Sequence, residues 1–144
     1  MPKVRRSRVV PAPADRVWAV VADVRGQARW WPRVARVEGV TPQGFTQVLT
    51  TSAGRAVRAD QRFVVQEEPY VLSWTQQVQD TPFEKVLKSA QTTLRVAPEG
   101  DDQSRVTIEL RQKMRGLSGF APFLVTRAGK RLVDEALDGL EQVV

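Results

Sequence analysis

The sequence predicts an α+β fold in which an antiparallel β-sheet packs against one long C-terminal helix. Three observations lead to this prediction. Apolar residues recur every three or four positions through residues 117–144, as on one face of a helix. In the middle of the chain, apolar and polar residues alternate in short runs, as in half-buried strands. These runs follow one another with short connections, which favours antiparallel neighbours.

The first part of the chain predicts one strand followed by two short helices. Residues 4–10 are partly β-branched and are followed by two prolines, so a strand should end there in a turn. Residues 14–24 carry valines at helical spacing, and Gly26 is a plausible stop. Residues 27–31 can form a further helical turn, which Pro32 ends because the residue before a proline is pushed out of the α region.

Six further strands are predicted, each ended by residues that favour turns. They cover residues 34–40, 45–51, 55–66, 70–79, 83–96 and 105–115. No helix is expected between them, so they should form an antiparallel meander. In the last strand Val106, Ile108 and Leu110 point one way and charged residues the other, which identifies the buried face. With the opening strand, the sheet has seven strands.

The final helix is predicted to begin near Pro122, whose missing N–H suits a first helical turn, with residues 116–121 as a lead-in turn. Its predicted apolar stripe consists of Ala121, Val125, Ala128, Leu132, Ala136, Leu140 and Val143. Unusually small residues lie on or beside this stripe: Ala121, Ala128, Gly129, Ala136 and Gly139. The helix therefore either approaches its partner surface very closely or leaves a cavity beneath it, and the sequence leaves both alternatives open.

Composition excludes several function classes. The 144 residues suit one domain, residues 1–144, with a core of its own. The chain has no Cys and no His, which excludes disulfides, thiolate nucleophiles, histidine acid/base chemistry and the usual zinc sites. No apolar run approaches the length of a membrane span, and the basic N-terminus leads into no apolar signal segment. We therefore expect a cytoplasmic protein without a metal or cofactor.

The run of residues 9–24, VVPAPADRVWAVVADV, is followed by Trp31-Pro32 and a strand. It resembles the opening of the START/Bet v1-like (SRPBCC) superfamily, in particular its polyketide cyclase/dehydrase and lipid-transport branch. The element order of the whole chain is similar as well. The resemblance implies a helix-grip fold, in which a curved seven-stranded sheet wraps the C-terminal helix around an elongated cavity for lipids, sterols, quinones or polyketides. The branch has no universal catalytic motif, so function must come from the pocket residues.

Three glutamines lie on the inward phase of predicted strands: Gln61, Gln76 and Gln112. A buried amide without partners costs about 1 to 3 kcal/mol, so three of them are hard to accommodate in a dry core. A cavity that holds water or the oxygen atoms of a ligand would accommodate them. The alternative is that they lie at the open end of the sheet in bulk solvent.

Aromatic and helix residues complete the predicted site. Trp31 sits where the resemblance puts the cavity rim, together with Trp30, although both could instead staple the short helix to the sheet. Trp74 is inward on a central strand, as pocket wall or as plain core. The predicted ligand-binding residues are Trp31, Gln61, Phe63, Trp74, Gln76, Thr92, Gln112, Leu124, Ala128 and Leu132. No catalytic residue and no metal ligand is predicted.

The net charge of +6 suggests an anionic partner or simply solubility. A basic patch is predicted if the first and last strands are neighbours: Arg5, Arg6, Arg8, Arg111, Lys113 and Arg115. It could touch an anionic membrane surface transiently, or be a solvated face. Nucleic acid is not expected, because the outward positions offer neither stacking aromatics nor a recognition helix. The oligomeric state is left as monomer or homodimer.

Two functional hypotheses follow. The first is a non-catalytic protein that binds or carries a hydrophobic small molecule such as a lipid, quinone or polyketide-like compound. The alternative is a polyketide cyclase/dehydratase-type enzyme acting on such a ligand. Without His or Cys, the enzyme would depend on shape and ordered water, and on Tyr70 or Arg58 as proton donor or oxyanion partner.

Overall fold

The computed structural model describes residues 3–51, 53–67, 70–115 and 121–144, and the side chains of residues 67 and 121–125 lie outside the described part. The strands are β1 (Lys3–Val10), β2 (Val34–Glu38), β3 (Gly44–Thr50), β4 (Ala56–Glu67), β5 (Val71–Gln76), β6 (Leu87–Pro98) and β7 (Ser104–Met114). The helices are α1 (Ala14–Ala22) and α2 (Ala121–Val143), with a first 3₁₀ helix at Val24–Arg29 and a second at Pro82–Lys85.

The seven strands form one antiparallel sheet in the order β1-β7-β6-β5-β4-β3-β2. Strands β2 to β7 are a meander, and β1 joins the sheet beside β7, with Val4 opposite Leu110. The α+β helix-grip fold with a curved seven-stranded sheet is therefore confirmed. The neighbouring first and last strands are confirmed as well.

Bulges give the sheet its curvature. The pairing shifts register between Val34 and Arg36 in β2 and between Phe63 and Val65 in β4. A third shift lies at the start of β6, between residues 87 and 89. An extra residue in one strand bends that strand and increases its local twist. The bent sheet can then enclose one face of α2.

The alternation predicted for β7 is confirmed, with Val106 and Ile108 fully buried on the inner face. Thr107 faces the other way and is nevertheless buried. The reason is a hydrogen bond across the β1/β7 pair, 2.8 Å long, between the hydroxyls of Thr107 and Ser7. A polar residue on the outer face can thus be covered by its cross-strand partner.

One expectation about the meander was wrong, because a helix does interrupt it. The second 3₁₀ helix lies between β5 and β6, and it replaces the first residues of the strand predicted for residues 83–96. Pro82 occupies the first turn, and the Thr81 hydroxyl accepts a hydrogen bond from the backbone N–H of Phe83 at 3.2 Å. Both features start a helical turn. Asp80, with φ 62°, makes the sharp change of direction before it.

Helix α2 begins at Ala121, close to the predicted start, and residues 116–120 of the predicted lead-in turn lie outside the described residues. Its buried stripe is displaced from the predicted one. Among the described side chains the buried positions are Gly129, Val133, Ala136, Leu137 and Leu140. Ala128 is exposed, because the helix is rotated so that the neighbouring Gly129 faces β1. A Cβ on Gly129 would lie 3.0 Å from Cγ2 of Val4.

Helix α2 lies very close to the end of the first 3₁₀ helix at Gly139. A Cβ there would lie 2.4 Å from the backbone oxygen of Trp30, at the end of the first 3₁₀ helix. Only a glycine permits this contact. No helix among the described residues is long and apolar enough to cross a membrane.

Candidate functional site

A pocket of about 320 Å³ lies between the inner face of the sheet, the middle of α2 and the second 3₁₀ helix. Its walls come from β3 to β7, from Leu132 of α2 and from Phe83 of the 3₁₀ helix. The volume is at the lower end of the range for small-molecule sites, roughly 300 to 1,000 Å³. The bent sheet therefore leaves space that α2 does not fill.

Most of the predicted site residues meet at this pocket. Seven of the ten line it: Trp31, Gln61, Trp74, Gln76, Thr92, Gln112 and Leu132. They come from the chain after the first 3₁₀ helix, from β4 to β7 and from α2. Only a curved sheet closed by a helix brings these segments together, which is what the fold provides.

Three predicted site residues are placed differently. Phe63 does not line the pocket; it lies next to the β4 bulge, and its ring is 5.3 Å from that of Phe45. Ala128 lines an adjoining depression of about 500 Å³, which shares Leu132 and Gln112 with the pocket. Leu124 lies on α2, and its side chain is outside the described residues.

Aromatic rings form one wall. Trp74 is 2% exposed, and its ring is 5.8 Å from that of Trp31 and 5.4 Å from that of Phe45, each in an edge-to-face arrangement. Trp74 is thus core and pocket wall at once. Trp30 contacts Trp31 at 5.4 Å but does not line the pocket. Trp30 therefore packs in the core, as in the alternative in which the tryptophans hold the short helix on the sheet, whereas Trp31 lines the pocket.

Two pocket-lining amides, Gln47 and Gln61, form a hydrogen-bonded row with Gln27, and we call this row the glutamine chain. Gln61 Nε2 donates to Gln47 Oε1 at 3.0 Å, and Gln47 Nε2 donates to Gln27 Oε1 at 2.8 Å. All three residues are buried. The chain starts at Gln27 in the first 3₁₀ helix, where Nε2 of Gln27 has no partner among the described residues, and ends at Gln61 in the pocket wall.

Sequence reasoning missed two members of this chain. Gln47 lies between Phe45 and Leu49 on the same face of β3, so the criterion that selected the other inward glutamines also selects Gln47. Gln27 gave no such signal, because it lies in a short 3₁₀ helix without a clear apolar period. Phe83 was missed because its segment was interpreted as strand.

Two polar atoms at the pocket wall have no partner. Gln61 Oε1 and Gln76 Nε2 are buried and make no hydrogen bond among the described residues. The two residues face each other across the β4/β5 pair. A buried polar atom without a partner costs about 1 to 3 kcal/mol. These two pocket-lining residues therefore leave one acceptor and one donor unsatisfied beside the pocket.

The described lining of the pocket contains one charged residue, Arg33, which is exposed and has φ 67°. No Asp, Glu or Tyr of the described residues lines it. Tyr70 packs its ring against Trp18 at 6.2 Å, and Arg58 pairs with Glu38 on the surface. The structure thus places neither proton donor considered from the sequence at the pocket.

The two carboxylates whose pKa is shifted, Glu38 and Glu109, do not line the pocket. Hydrogen bonds from Arg36 and Arg58 hold the pKa of Glu38 below its ordinary value. Burial of Glu109 acts to raise the pKa of that carboxyl, but the hydrogen bond from Arg111 and the charge of Lys3 outweigh it and leave the pKa lowered. Among the described residues, no group of three or more acidic side chains lies close enough together to hold a metal ion.

Two arginines of the predicted basic patch form ion pairs with acidic residues of helix α2. Arg6 pairs with Asp134 of α2 at 3.7 Å, and Arg8 pairs with Asp138 and with Glu141. Both arginines occupy the inward phase of β1, shared with the buried Val4 and Val10, so they point toward the helix. The patch on the outer face is therefore smaller than predicted.

Comparison with known proteins gives a family match and structural neighbours. The sequence matches the family described as polyketide cyclase/dehydrase and lipid transport over residues 1–144. No curated protein matches the sequence. Similar solved structures include a START superfamily protein from Mycobacterium smegmatis, with 14% identity, a TM-score of 0.80, and coverage of 97% of this chain and 94% of that one.

Two further neighbours are aromatase/cyclases by name. The di-domain ARO/CYC BexL from the BE-7585A biosynthetic pathway has 22% identity and a TM-score of 0.82 over 99% of this chain, which spans 46% of the BexL chain. The Zhui aromatase/cyclase from Streptomyces sp. R1128 has 19% identity and a TM-score of 0.69, with 97% and 88% of the two chains covered. At these identities the likeness establishes the fold.

Proposed function

Because the chain belongs to the polyketide cyclase/dehydrase and lipid-transport family, we propose that its pocket binds a small hydrophobic molecule, such as a lipid, quinone or polyketide-like compound. Apolar walls would supply most of the affinity through burial. The pocket amides would orient the polar atoms of the ligand.

The observation that carries this proposal is the combination of apolar walls with unpaired amide atoms in one pocket. A dry core does not retain buried amides without partners, because each costs about 1 to 3 kcal/mol. Trp31 and Trp74 line the same space and favour a flat or unsaturated molecule. A ligand with a few polar atoms would satisfy both parts of the wall.

A titration with an apolar fluorescent probe, N-phenyl-1-naphthylamine, tests the proposal. We expect saturable binding to the unmodified protein and loss of at least about tenfold in affinity for Ala90→Phe, because Ala90 lines the pocket and the ring would occupy it. Ala97→Phe is the matched control, since Ala97 lies on the same strand and is exposed. Equal probe affinity in both variants would contradict binding in this pocket.

The second candidate is catalysis of a cyclisation or dehydration of a polyketide-like substrate, favoured by the description of the family. With no acidic or tyrosine side chain in the described lining, this chain would act by holding a flexible substrate in a folded conformation. Mass spectrometry distinguishes the candidates. A carrier releases the ligand that co-purifies with it unchanged, whereas an enzyme converts an added candidate substrate to a product of altered mass or retention.

A further inference from the structure

The two unpaired amide atoms at the pocket wall form a complementary pair. Gln61 and Gln76 are directly opposite each other in the β4/β5 register, and both line the pocket. Gln61 presents a buried acceptor, Oε1, and Gln76 presents a buried donor, Nε2. We propose that this pair recognises a hydroxyl group of the bound molecule, an inference that rests on the proposed ligand-binding function.

The glutamine chain couples the orientation of the Gln61 amide to that of its neighbours. Its Nε2 is engaged with Gln47 Oε1, and Gln47 is itself engaged with Gln27 through its own Nε2. Turning the Gln61 amide alone would bring its oxygen against the Gln47 oxygen and lose a hydrogen bond. Reversing all three amides together keeps both hydrogen bonds, because Gln27 Nε2 has no partner among the described residues, and leaves Nε2 of Gln61 unpaired instead. A hydroxyl group fits either arrangement, because it can donate to one amide and accept from the other.

A hydroxyl group matches this pair, because its hydrogen donates and its oxygen has two lone pairs that accept. The ligand O–H donates to Gln61 Oε1, and the same oxygen accepts from Gln76 Nε2. A carbonyl or an ether can only accept and so satisfies only the amide that donates, and an ammonium group can only donate and so satisfies only the amide that accepts. The pair therefore selects alcohols, phenols and enols from ketones and ethers of similar size.

The position of the pair also favours a hydroxyl carried by a ring. Gln76 lies two residues after Trp74 on the same face of β5, so its amide lies beside the indole that forms the pocket wall. A ring stacked against the aromatic wall would place a substituent at the amides. The ligand class is thus a flat hydrophobic molecule with a phenolic or enolic hydroxyl.

Three probes test this inference on the unmodified protein: naphthalene, 2-naphthol and 2-methoxynaphthalene, each competing with N-phenyl-1-naphthylamine. We expect 2-naphthol to bind about tenfold more tightly than either of the others, the effect of one to two net hydrogen bonds. Naphthalene controls for the size of the methoxy group. Burial of apolar surface alone would favour 2-methoxynaphthalene over 2-naphthol.

A variant then assigns the preference to the pair. Gln76→Met removes the donor at similar side-chain volume, and we expect the preference for 2-naphthol to fall threefold or more. Gln77→Met is the matched control, since Gln77 is exposed and does not line the pocket, and it should keep the full preference.

The outcomes separate the two proposals. Equal affinities for 2-naphthol and 2-methoxynaphthalene in the unmodified protein would overturn the hydroxyl assignment and leave the proposed binding function intact. A preference that survives undiminished in folded Gln76→Met would also overturn it. If none of the naphthalenes and no N-phenyl-1-naphthylamine binds, the proposed function fails, and the assignment fails with it.

Discussion

The two halves of helix α2 meet the sheet in different ways. In the C-terminal half, Val133, Ala136 and Leu140 are fully buried, and Gly139 brings the helix against the backbone of Trp30. We call this the closed end. In the N-terminal half, Leu132 is half-buried at the pocket and Ala128 is exposed beside it. We call this half of the helix, together with the pocket and the strands β2 to β5 beside it, the open end.

The sheet explains the difference between the two ends. The helix runs along β1, with Gly129 at Val4 and Asp138 paired with Arg8. Beside the arginines of β1, the buried inner positions Leu94, Val96, Val106 and Ile108 of β6 and β7 are apolar, whereas the part of the sheet around the pocket carries glutamines. Small residues on a helix therefore do not by themselves indicate a cavity. Their meaning depends on what the opposite surface supplies.

The largest effect is expected at the closed end, from Gly139→Ala. The new methyl group would lie 2.4 Å from the backbone oxygen of Trp30, and backbone cannot move aside as a side chain can. We expect a loss of about 3 kcal/mol in the free energy of unfolding, measured by urea denaturation. Gly129→Ala is the control, because it meets only a Val4 methyl at 3.0 Å, and alanine favours the helix by about 1 kcal/mol. Equal losses at the two glycines would contradict the comparison.

The glutamine chain at the open end should give the next largest effect. Gln47→Met leaves Gln27 Oε1 and Gln61 Nε2 without their hydrogen-bond partners. We expect unfolding to become easier by about 2 kcal/mol, mainly from the acceptor that stays buried on Gln27. Gln66→Met, at an exposed position of β4, should change stability by less than about 0.5 kcal/mol. A neutral Gln47→Met would show that the chain contributes nothing to folding.

Leucine substitutions compare the two ends of the helix directly. Ala136 is fully buried, so Ala136→Leu should overpack the closed end and cost about 1.5 kcal/mol. Ala128 is exposed at the open end, so Ala128→Leu should cost less than about 0.5 kcal/mol. Because Ala128 lines the depression that adjoins the pocket, it should instead slow the association of N-phenyl-1-naphthylamine. Stopped-flow fluorescence and thermal melting measure the two effects, and equal loss of stability would contradict the distinction.

Much of the fold could be predicted from the sequence, because each element has a local signal. Alternation located the strands, and the period of the last segment located α2. The second 3₁₀ helix was missed because one turn is too short for a period, although Thr81-Pro82 is a local start signal. The sequence predicted Ala128 on the buried face of α2, whereas the structure buries the next residue, Gly129. Both residues are small, and only the contact of Gly129 with Val4 distinguishes them.

The site was predictable to the extent that it depends on strand phase. The rule that inward amides need partners placed Gln61 and Gln76 at the pocket, and the same rule covers Gln47. Partnerships between distant segments could not be predicted, because the contact of Gln27 with Gln47 depends on how the first 3₁₀ helix packs over β3. Phe63 has the expected phase, but a bulge at that position changes its surroundings, and no sequence signal marks the bulge.

The smallest effect is expected from acid, on the outer surface of the open end. Glu38 of β2 pairs with Arg58 of β4 across β3, over the strands whose inner faces carry Gln47 and Gln61. Because hydrogen bonds from Arg36 and Arg58 lower the pKa of Glu38 in the folded protein, its contribution to stability is present above the unfolded pKa, near 4.5. That contribution is lost as the pH falls through the lowered folded pKa.

Urea midpoints between pH 6 and pH 2.5, for the unmodified protein and for Glu38→Gln, measure this contribution. We expect the two proteins to differ by a small, constant amount above pH 5 and to converge as the pH falls below the lowered folded pKa of Glu38, since the glutamine variant has no proton to gain at this position. The pair is exposed, so the difference should also shrink in 1 M salt. Curves that stay parallel down to pH 2.5 would show that the Glu38 pair does not support the strands of the open end. The stability of that end would then depend on its inner face, through the glutamine chain and the aromatic wall.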